Sequence, residues 1–193
     1  MGVEYELKFR AVPDQQERLR KEVVGEEKEF DMATTYYDAC DGSLSQRFYT
    51  LRRRMENDRS VCTLKAPIDE YGRGEWEVDC DDIHLAIEKL CKLGAPADLR
   101  ILTAKGIKEV CGARFHRIAK TVSLPQGTVE LAIDRGVLTG GGKETDLCEV
   151  EVELKEGTPE MTQAYGLLLA ARYGLEPEKK SKFRRALALA KGE

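Results

Sequence analysis

Along much of this chain apolar and charged residues alternate with a period of two. Val3, Tyr5, Leu7 and Phe9 are interleaved with Glu4, Glu6, Lys8 and Arg10. Val129, Leu131 and Ile133 alternate with Glu130, Ala132 and Asp134, and Val150, Val152 and Leu154 with Glu149, Glu151 and Glu153. Arg73, Glu75, Glu77 and Asp79 alternate with Gly74, Trp76 and Val78. A two-residue period puts each set on one face of a strand. Less regular strands are expected over 33–38, 46–55, 60–66 and 113–122, making about eight. Turns are expected at 40–42, 56–58, 69–72, 125–127 and 136–142, where Gly, Asn, Asp and Pro gather.

Helical periodicity separates these strands. Helices are expected over 13–24, starting at Pro13-Asp14, and over 81–93, with Ile83, Ile87, Leu90 and Cys91 at helical spacing. A third opens at Thr158 with Pro159 in its first turn and runs to Gly174, and a fourth covers 181–191. Strands that meander between such helices define an α+β fold rather than a βαβ succession. The 193 residues contain no linker run or internal repeat, so residues 1–193 read as a single domain.

Charge changes this picture. Charged residues make up 34% of the chain, above the usual ~25%, yet 31 Lys and Arg nearly cancel 35 Asp and Glu. Near-neutrality argues against non-specific nucleic-acid binding. No run approaches the ~18 apolar residues of a membrane span, and the amino-terminus has no apolar signal core. Six cysteines are scattered without a C-x-x-C pair beside only two histidines, which suits reduced thiols in the cytoplasm rather than zinc. Surface strands commonly mix Thr, Ser, Lys and Glu, but here carboxylates repeat in tight rows that repel one another unless bases or a metal ion answer them. Arg52, Arg54 and Lys65 form basic rows on other strands. An eight-stranded antiparallel sheet closed on itself, charged face inward and helices outside, would enclose both signs. Carboxylates suit Mg²⁺ or Mn²⁺, and Arg and Lys suit phosphate oxygens, so such a lumen describes a metal–polyphosphate site.

Glu4-Tyr5-Glu6-Leu7-Lys8 resembles the E-x-E-x-K signature of the CYTH family, the triphosphate tunnel metalloenzymes. Further similarities follow in family order: Tyr36-Tyr37-Asp38, Leu44-Ser45, Thr50-Leu51-Arg52-Arg53-Arg54, Thr63-Leu64-Lys65, Arg73-Gly74-Glu75-Trp76-Glu77, the strands around Glu130 and Glu149, and Ser181-Lys182. The resemblance spans residues 3 to about 190. It implies a closed eight-stranded antiparallel β-barrel tunnel with a charged interior and helices packed outside. By family roles Glu4, Glu6, Glu130, Glu149 and Glu151 would hold Mg²⁺ or Mn²⁺. Lys8, Arg10, Arg52, Arg54, Lys65, Arg73, Arg117 and Lys182 would contact phosphate, with Arg10 at the mouth. Glu4, Glu6, Lys8 and Glu151 would carry the catalysis. Arg117 is preferred to Arg114 and Lys120 for its spacing from the strand around Glu130. Glu75 and Glu77 are expected to orient Arg73, Asp134 to end its strand, His116 to be structural or exposed, and Trp76 to pack outside.

The activity this resemblance implies is hydrolysis of inorganic triphosphate to pyrophosphate and phosphate, on a small-molecule substrate without nucleic acid or membrane. A class IV adenylyl cyclase or nucleoside triphosphatase ranks second. Thiamine triphosphatase ranks third, because ring recognition calls for an aromatic at the tunnel mouth and Trp76 has outward parity. A non-catalytic polyphosphate-binding module is the alternative of another class. An outer sheet face too broad for four helices leaves room for a homodimer.

Overall fold

The computed structural model describes residues 2–3, 5–68 and 73–193, with Gly2 and Val3 in backbone alone. Glu4 and the expected turn at 69–72 lie outside the described residues. Among those described the chain forms ten strands: β1 (Gly2–Val3), β2 (Glu6–Arg10), β3 (Glu26–Ala39), β4 (Thr50–Glu56), β5 (Arg59–Pro67), β6 (Arg73–Asp79), β7 (Ile107–Leu124), β8 (Gly127–Gly140), β9 (Lys143–Glu156) and β10 (Glu176–Pro177). Six helices accompany them: α1 (Pro13–Glu22), α2 (Ser43–Gln46), α3 (Ile83–Lys92), α4 (Leu99–Thr103), α5 (Pro159–Tyr173) and α6 (Lys182–Lys191).

The four expected helices form, three of them behind a side-chain cap and α1 behind Pro13. Asp82 accepts from the His84 and Leu85 amides, Thr158 from Met161 and Ser181 from Arg184. Gly174 closes α5 in the left-handed conformation. Two short helices, α2 and α4, arise where too few residues carry a period; α2 ends on Gln46, and the strand expected over 46–55 begins only at Thr50. Strands β3 and β7 are longer than their alternation suggested, because they pair from Glu26–Thr121 to Ala39–Ile107. The ladder, not the apolar pattern, sets their length. Likewise β8 runs on to Gly140, so the turn expected over 136–142 shrinks to Gly141-Gly142.

All strands join one antiparallel sheet in the order β1-β6-β5-β4-β3-β7-β8-β9-β2-β10. The segments β1 and β2 stand near opposite ends of that order, yet only two residues separate them in the chain. Three Cα steps of about 3.8 Å cannot span a flat ten-stranded sheet, so the sheet curls until its ends approach. No strand pair closes the ladder between its two ends among the described residues. A barrel closed by hydrogen bonds, as expected, is therefore not seen there.

Register assigns the faces. Glu6 pairs with Glu153 and Lys8 with Glu151; Glu149 pairs with Asp134, which pairs in turn with Arg117. Arg54 pairs with Thr34, Thr63 with Arg52 and Glu77, and Lys65 with Glu75. Pairing partners share a face, so these side chains form one continuous inner surface. The opposite face is apolar and splits into two cores. Leu51, Cys62, Leu64 and Trp76 pack with Ile83, Ala86, Leu90 and Leu99 of α3 and α4. Phe9, Val129, Leu131, Val150 and Val152 pack with Leu19 of α1 and Met161, Leu169 and Tyr173 of α5. Each fully buried Leu or Val contributes about 1.5–3 kcal/mol. Lys120 belongs to this outer side, where its ammonium donates to the Arg20 and Val23 carbonyls at the end of α1.

Helix α6 departs from the expectation that all helices pack outside. Its Ala186 joins Met32, Ala113, Phe115, Leu138 and Leu147, all on the inner face, in a third cluster. The Phe183 ring lies 5.2 Å from that of Tyr36. The reason is local composition: past Asp134 and Glu149 the inner face turns apolar and needs cover. Gly140 permits the approach, since a Cβ there would stand 2.5 Å from the Ala186 carbonyl oxygen.

Candidate active site

What α6 leaves open of the inner face is a cavity of about 880 Å³. Among the described residues twelve basic and seven acidic side chains line it, an excess of positive charge on a chain whose net charge is −4. Of the expected site residues, Glu6, Lys8, Arg52, Arg54, Lys65, Arg73, Arg117, Glu151 and Lys182 all face it, with Glu75, Glu77 and Glu153.

One wall is a closed charge network. The Arg117 guanidinium donates two bonds of 2.7 Å to Asp134 and one of 2.6 Å to Glu151. The Lys182 ammonium lies 2.8 Å from Asp134 and 2.7 Å from Glu151, and also contacts Glu149, which Arg185 grips from its other side. Asp134 and Glu149 are fully buried. Three carboxylates and three cations neutralise each other here, which is what makes their burial tolerable. Burial alone would raise the pKa of all three acids. Arg117 and Lys182 reverse that for Asp134, and Lys182 and Arg117 for Glu151, holding both below the usual carboxylate range. Glu149 is pushed up to about 7, because burial with the Glu151 carboxylate beside it outweighs Lys182 and Arg185. Burial opposes the charge on Lys182 too, but its three carboxylates hold it far above the ordinary lysine value.

The facing wall, from β4 to β6, is looser. Arg52 approaches Glu75 only to 3.6 Å, and its Nε is a buried donor without a hydrogen-bond partner among the described residues. Arg54 stands 3.8 Å from Glu56 and donates to the Thr34 hydroxyl at 3.2 Å. Burial, then the like charges of Arg52 and Arg117, pull the Arg54 guanidinium down to about 10. Phe115 lies beneath the site, with Arg54, Arg117 and the Lys182 ammonium 5.4–6.0 Å from its ring centre. Between the walls, Glu6 holds Lys8 at 2.6 Å. Burial would depress the Lys8 ammonium, but Glu6 outweighs it and raises it. Glu6, Glu153 and Glu130 form a row across β2, β9 and β8, answered by Lys8 and Lys155.

Glu4 lies outside the described residues, and the other expected residues lie off the cavity. Arg10 is 59% exposed and pairs with Glu176 at 3.1 Å. Glu130 sits at the end of the acidic row and Glu149 behind Lys182. Arg114 reaches outward to Glu144, and His116 is exposed between Glu29 and Asp31. Trp76 is buried in the outer core. Sequence reasoning missed the part of Asp134, whose parity with Glu130 was the available signal. It also missed Arg185, which stands three residues from Lys182 on the same helix face.

The donor set tests the implied metal. The carboxylates on the cavity supply hard oxygen, and neither His84 nor His116 lines it. That set fits Mg²⁺ or Mn²⁺ and not a thiolate- or imidazole-seeking ion. Oxygens of Asp134, Glu149 and Glu151 come within 4.8 Å of one another, but the Lys182 ammonium already answers that cluster.

A curled antiparallel sheet that turns its charged face inward over an anion-suited cavity defines a class of proteins, and the chain belongs to it: the CYTH domain family matches residues 2–187. Among individual relatives, it is 26% identical over 143 residues to the inorganic triphosphatase of Haemophilus influenzae. That match takes in 72% of this chain and 40% of the relative's length. Among solved structures, a candidate adenylyl cyclase from Hippeastrum described with a dominant triphosphatase activity superposes with a TM-score of 0.65 at 19% identity, covering 100% of this chain and 97% of that one. A Pyrococcus horikoshii OT3 protein does so at 0.63 and 24% identity, covering 97% and 99%. These structural likenesses establish the fold. No helix among the described residues is long and apolar enough to cross a membrane.

Proposed function

We propose that this protein hydrolyses inorganic triphosphate to pyrophosphate and phosphate, with Mg²⁺ or Mn²⁺, in the charged cavity on the inner face of its sheet. The observation that carries the proposal is the pair of loosely answered guanidinium groups, Arg52 part-buried and Arg54 buried, facing the carboxylates of β2 and β9 across one cavity. The inorganic triphosphatase relative supports the choice of substrate.

Arg52, Arg54, Lys65, Arg73 and Lys8 bind the triphosphate oxygens, and Arg117 and Lys182 extend that charge along the wall of β7–β9 and α6. Phosphoryl transfer asks mainly for positioning and charge neutralisation. A low-dielectric cavity strengthens both, since the donors need no reorganisation as charge gathers on the leaving pyrophosphate. Glu4, Glu6 and Glu151 would hold the divalent ion, with Glu130 and Glu149 supporting that set from behind. When bound, the ion neutralises phosphate oxygens and lowers the pKa of a water. Glu6 and Glu151 stand where a carboxylate can orient the attacking water. Six cysteines outside any disulfide suit a reducing compartment, and we place the protein in the cytoplasm.

The test is a panel of tripolyphosphate, ATP and thiamine triphosphate with Mg²⁺ or Mn²⁺, read for phosphate, pyrophosphate and cyclic AMP. Tripolyphosphate should yield phosphate and pyrophosphate, chelation should abolish turnover, and Glu6→Gln should do the same while the protein stays folded. Tight binding of tripolyphosphate without product would instead make this a polyphosphate-binding module.

A further inference from the structure

We propose that Gln16, on the outer side of the sheet, is a positioning residue that sets Arg117 and Lys182, the two cations turned toward the triphosphate by the wall of β7–β9 and α6. This rests on the triphosphatase reading and adds to it a residue that stands outside the cavity lining.

The place of Gln16 on α1 calls for an apolar side chain. Gln16, Leu19 and Val23 recur at i, i+3 and i+7 and form the stripe that this segment buries. Leu19 and Val23 join the outer core with Val129, Leu131 and Val150. Gln16 is as deeply buried, at 4% exposure, yet its Oε1 has no hydrogen-bond partner among the described residues. A buried acceptor left unanswered is a cost, and the other end of the amide shows what offsets it. Its Nε2 donates to the backbone carbonyl of Asp134 at 2.8 Å and to that of Glu149 at 3.0 Å.

Those two residues are direct partners across β8 and β9, and on the inner face their fully buried carboxylates stand side by side. Like charges opposite each other push their strands apart. One amide group that spans both carbonyls holds the strands together from behind. The helix that delivers it is anchored: the Val12 amide donates to Gln15 Oε1 at 2.8 Å, and Gln15 Nε2 donates to the Gly174 carbonyl at 2.9 Å. On the inner side Asp134 takes two bonds from Arg117 and meets the Lys182 ammonium, while Glu149 meets Lys182 and Arg185. The separation of the two carbonyls thus fixes the two acids, and the acids fix where Arg117 and Lys182 stand.

The experiment measures tripolyphosphate hydrolysis with Mg²⁺ in three variants, with the folded fraction of each read by circular dichroism. Gln16→Met keeps the length of the side chain and removes the donor. Gln16→Glu keeps its shape, and burial holds the new carboxyl protonated, so that it donates one of the two bonds. Gln15→Met loosens the same helix end without touching Asp134 or Glu149. In Gln16→Met the KM should rise about tenfold while kcat stays within about twofold, the mark of lost substrate binding. Gln16→Glu should raise KM about threefold, and it decides alone where Gln16→Met does not fold. Gln15→Met should leave KM within about twofold of the parent's. A merely structural role lowers kcat in proportion to the folded fraction and leaves KM alone. That result, or an equal rise of KM in Gln15→Met, overturns the proposal. Where tripolyphosphate is bound without turnover, calorimetric Kd values decide by the same ratios. If the unaltered protein neither binds nor hydrolyses it, the triphosphatase reading fails, and the placing of Arg117 and Lys182 for phosphate falls with it.

Discussion

The two walls of the cavity carry similar side chains and use them differently. On β7–β9 every buried acid is met by a cation, with Arg117 and Lys182 at 2.6–2.8 Å from Asp134 and Glu151. On β4–β6 the guanidinium groups of Arg52 and Arg54 meet their nearest carboxylates only at 3.6 and 3.8 Å. The first wall is a finished electrostatic structure, and opening it exposes bare buried charge. On the second, the buried Arg54 and part-buried Arg52 have only distant carboxylates among the described residues, which is costly without a ligand and favourable with a polyanion. Charge density by itself therefore does not mark a binding group; the quality of its answering contacts does.

The sharpest way to break this contrast is Lys182→Met. It leaves Asp134, Glu149 and Glu151 together with only two cations, and should cost about 3–5 kcal/mol in urea unfolding. A loss under about 1 kcal/mol would mean that the three acids do not depend on a common ammonium. On the other wall, Arg54→Met should behave in the opposite way. Its charge is disfavoured in the folded state, so melting temperature should hold or rise, while kcat/KM for tripolyphosphate should fall about a hundredfold. A variant as active as the parent would remove Arg54 from substrate binding.

A subtler contrast is in pH. Glu149 has a folded value of about 7 against an ordinary 4.5, so the stability it contributes is complete below about pH 4.5 and is lost as pH rises through 7. Asp134 and Glu151, held low, act in the opposite sense and only in more acid solution. Between pH 5 and 8 the melting temperature of the parent should therefore fall more than that of Glu149→Gln. Equal slopes would show that Glu149 stays ionised throughout. His116, also raised, is common to both proteins and cancels. The smallest effect is expected at the rim. Arg10→Ala breaks an exposed pair worth less than about 1 kcal/mol and should change tripolyphosphate kinetics less than twofold. A larger kinetic loss would place Arg10 on the substrate path.

Much of this was legible in the residues. The alternation in Glu6–Arg10, 129–134 and 149–154 placed the strands and their charged face; Arg117, preferred by spacing, lines the cavity, while Lys120 lies on the other face and caps α1. Asp134 was not legible as a network member, because its partners come from β7 and from α6, 17 and 48 positions away in sequence. Phe48 was not legible either. Nothing in Gln46-Arg47-Phe48-Tyr49 shows that a four-residue helix ends there and leaves Phe48 left-handed on the cavity lining.

By itself, the sequence determined the α+β class, the main strands, the four longer helices and the parity that separates charged from apolar side chains. Those follow from short-range geometry, a period of two or 3.6 residues and the capping groups at helix ends. Only the tertiary structure decided that α6 enters the inner face, that Lys182 answers three carboxylates at once, and that Arg52 and Arg54 are left with distant partners. Those depend on sheet curvature and on which distant segments meet, and a charge carries no local mark of what will face it. The chain's modest net charge conceals the result, a positively lined cavity on a protein that is acidic as a whole.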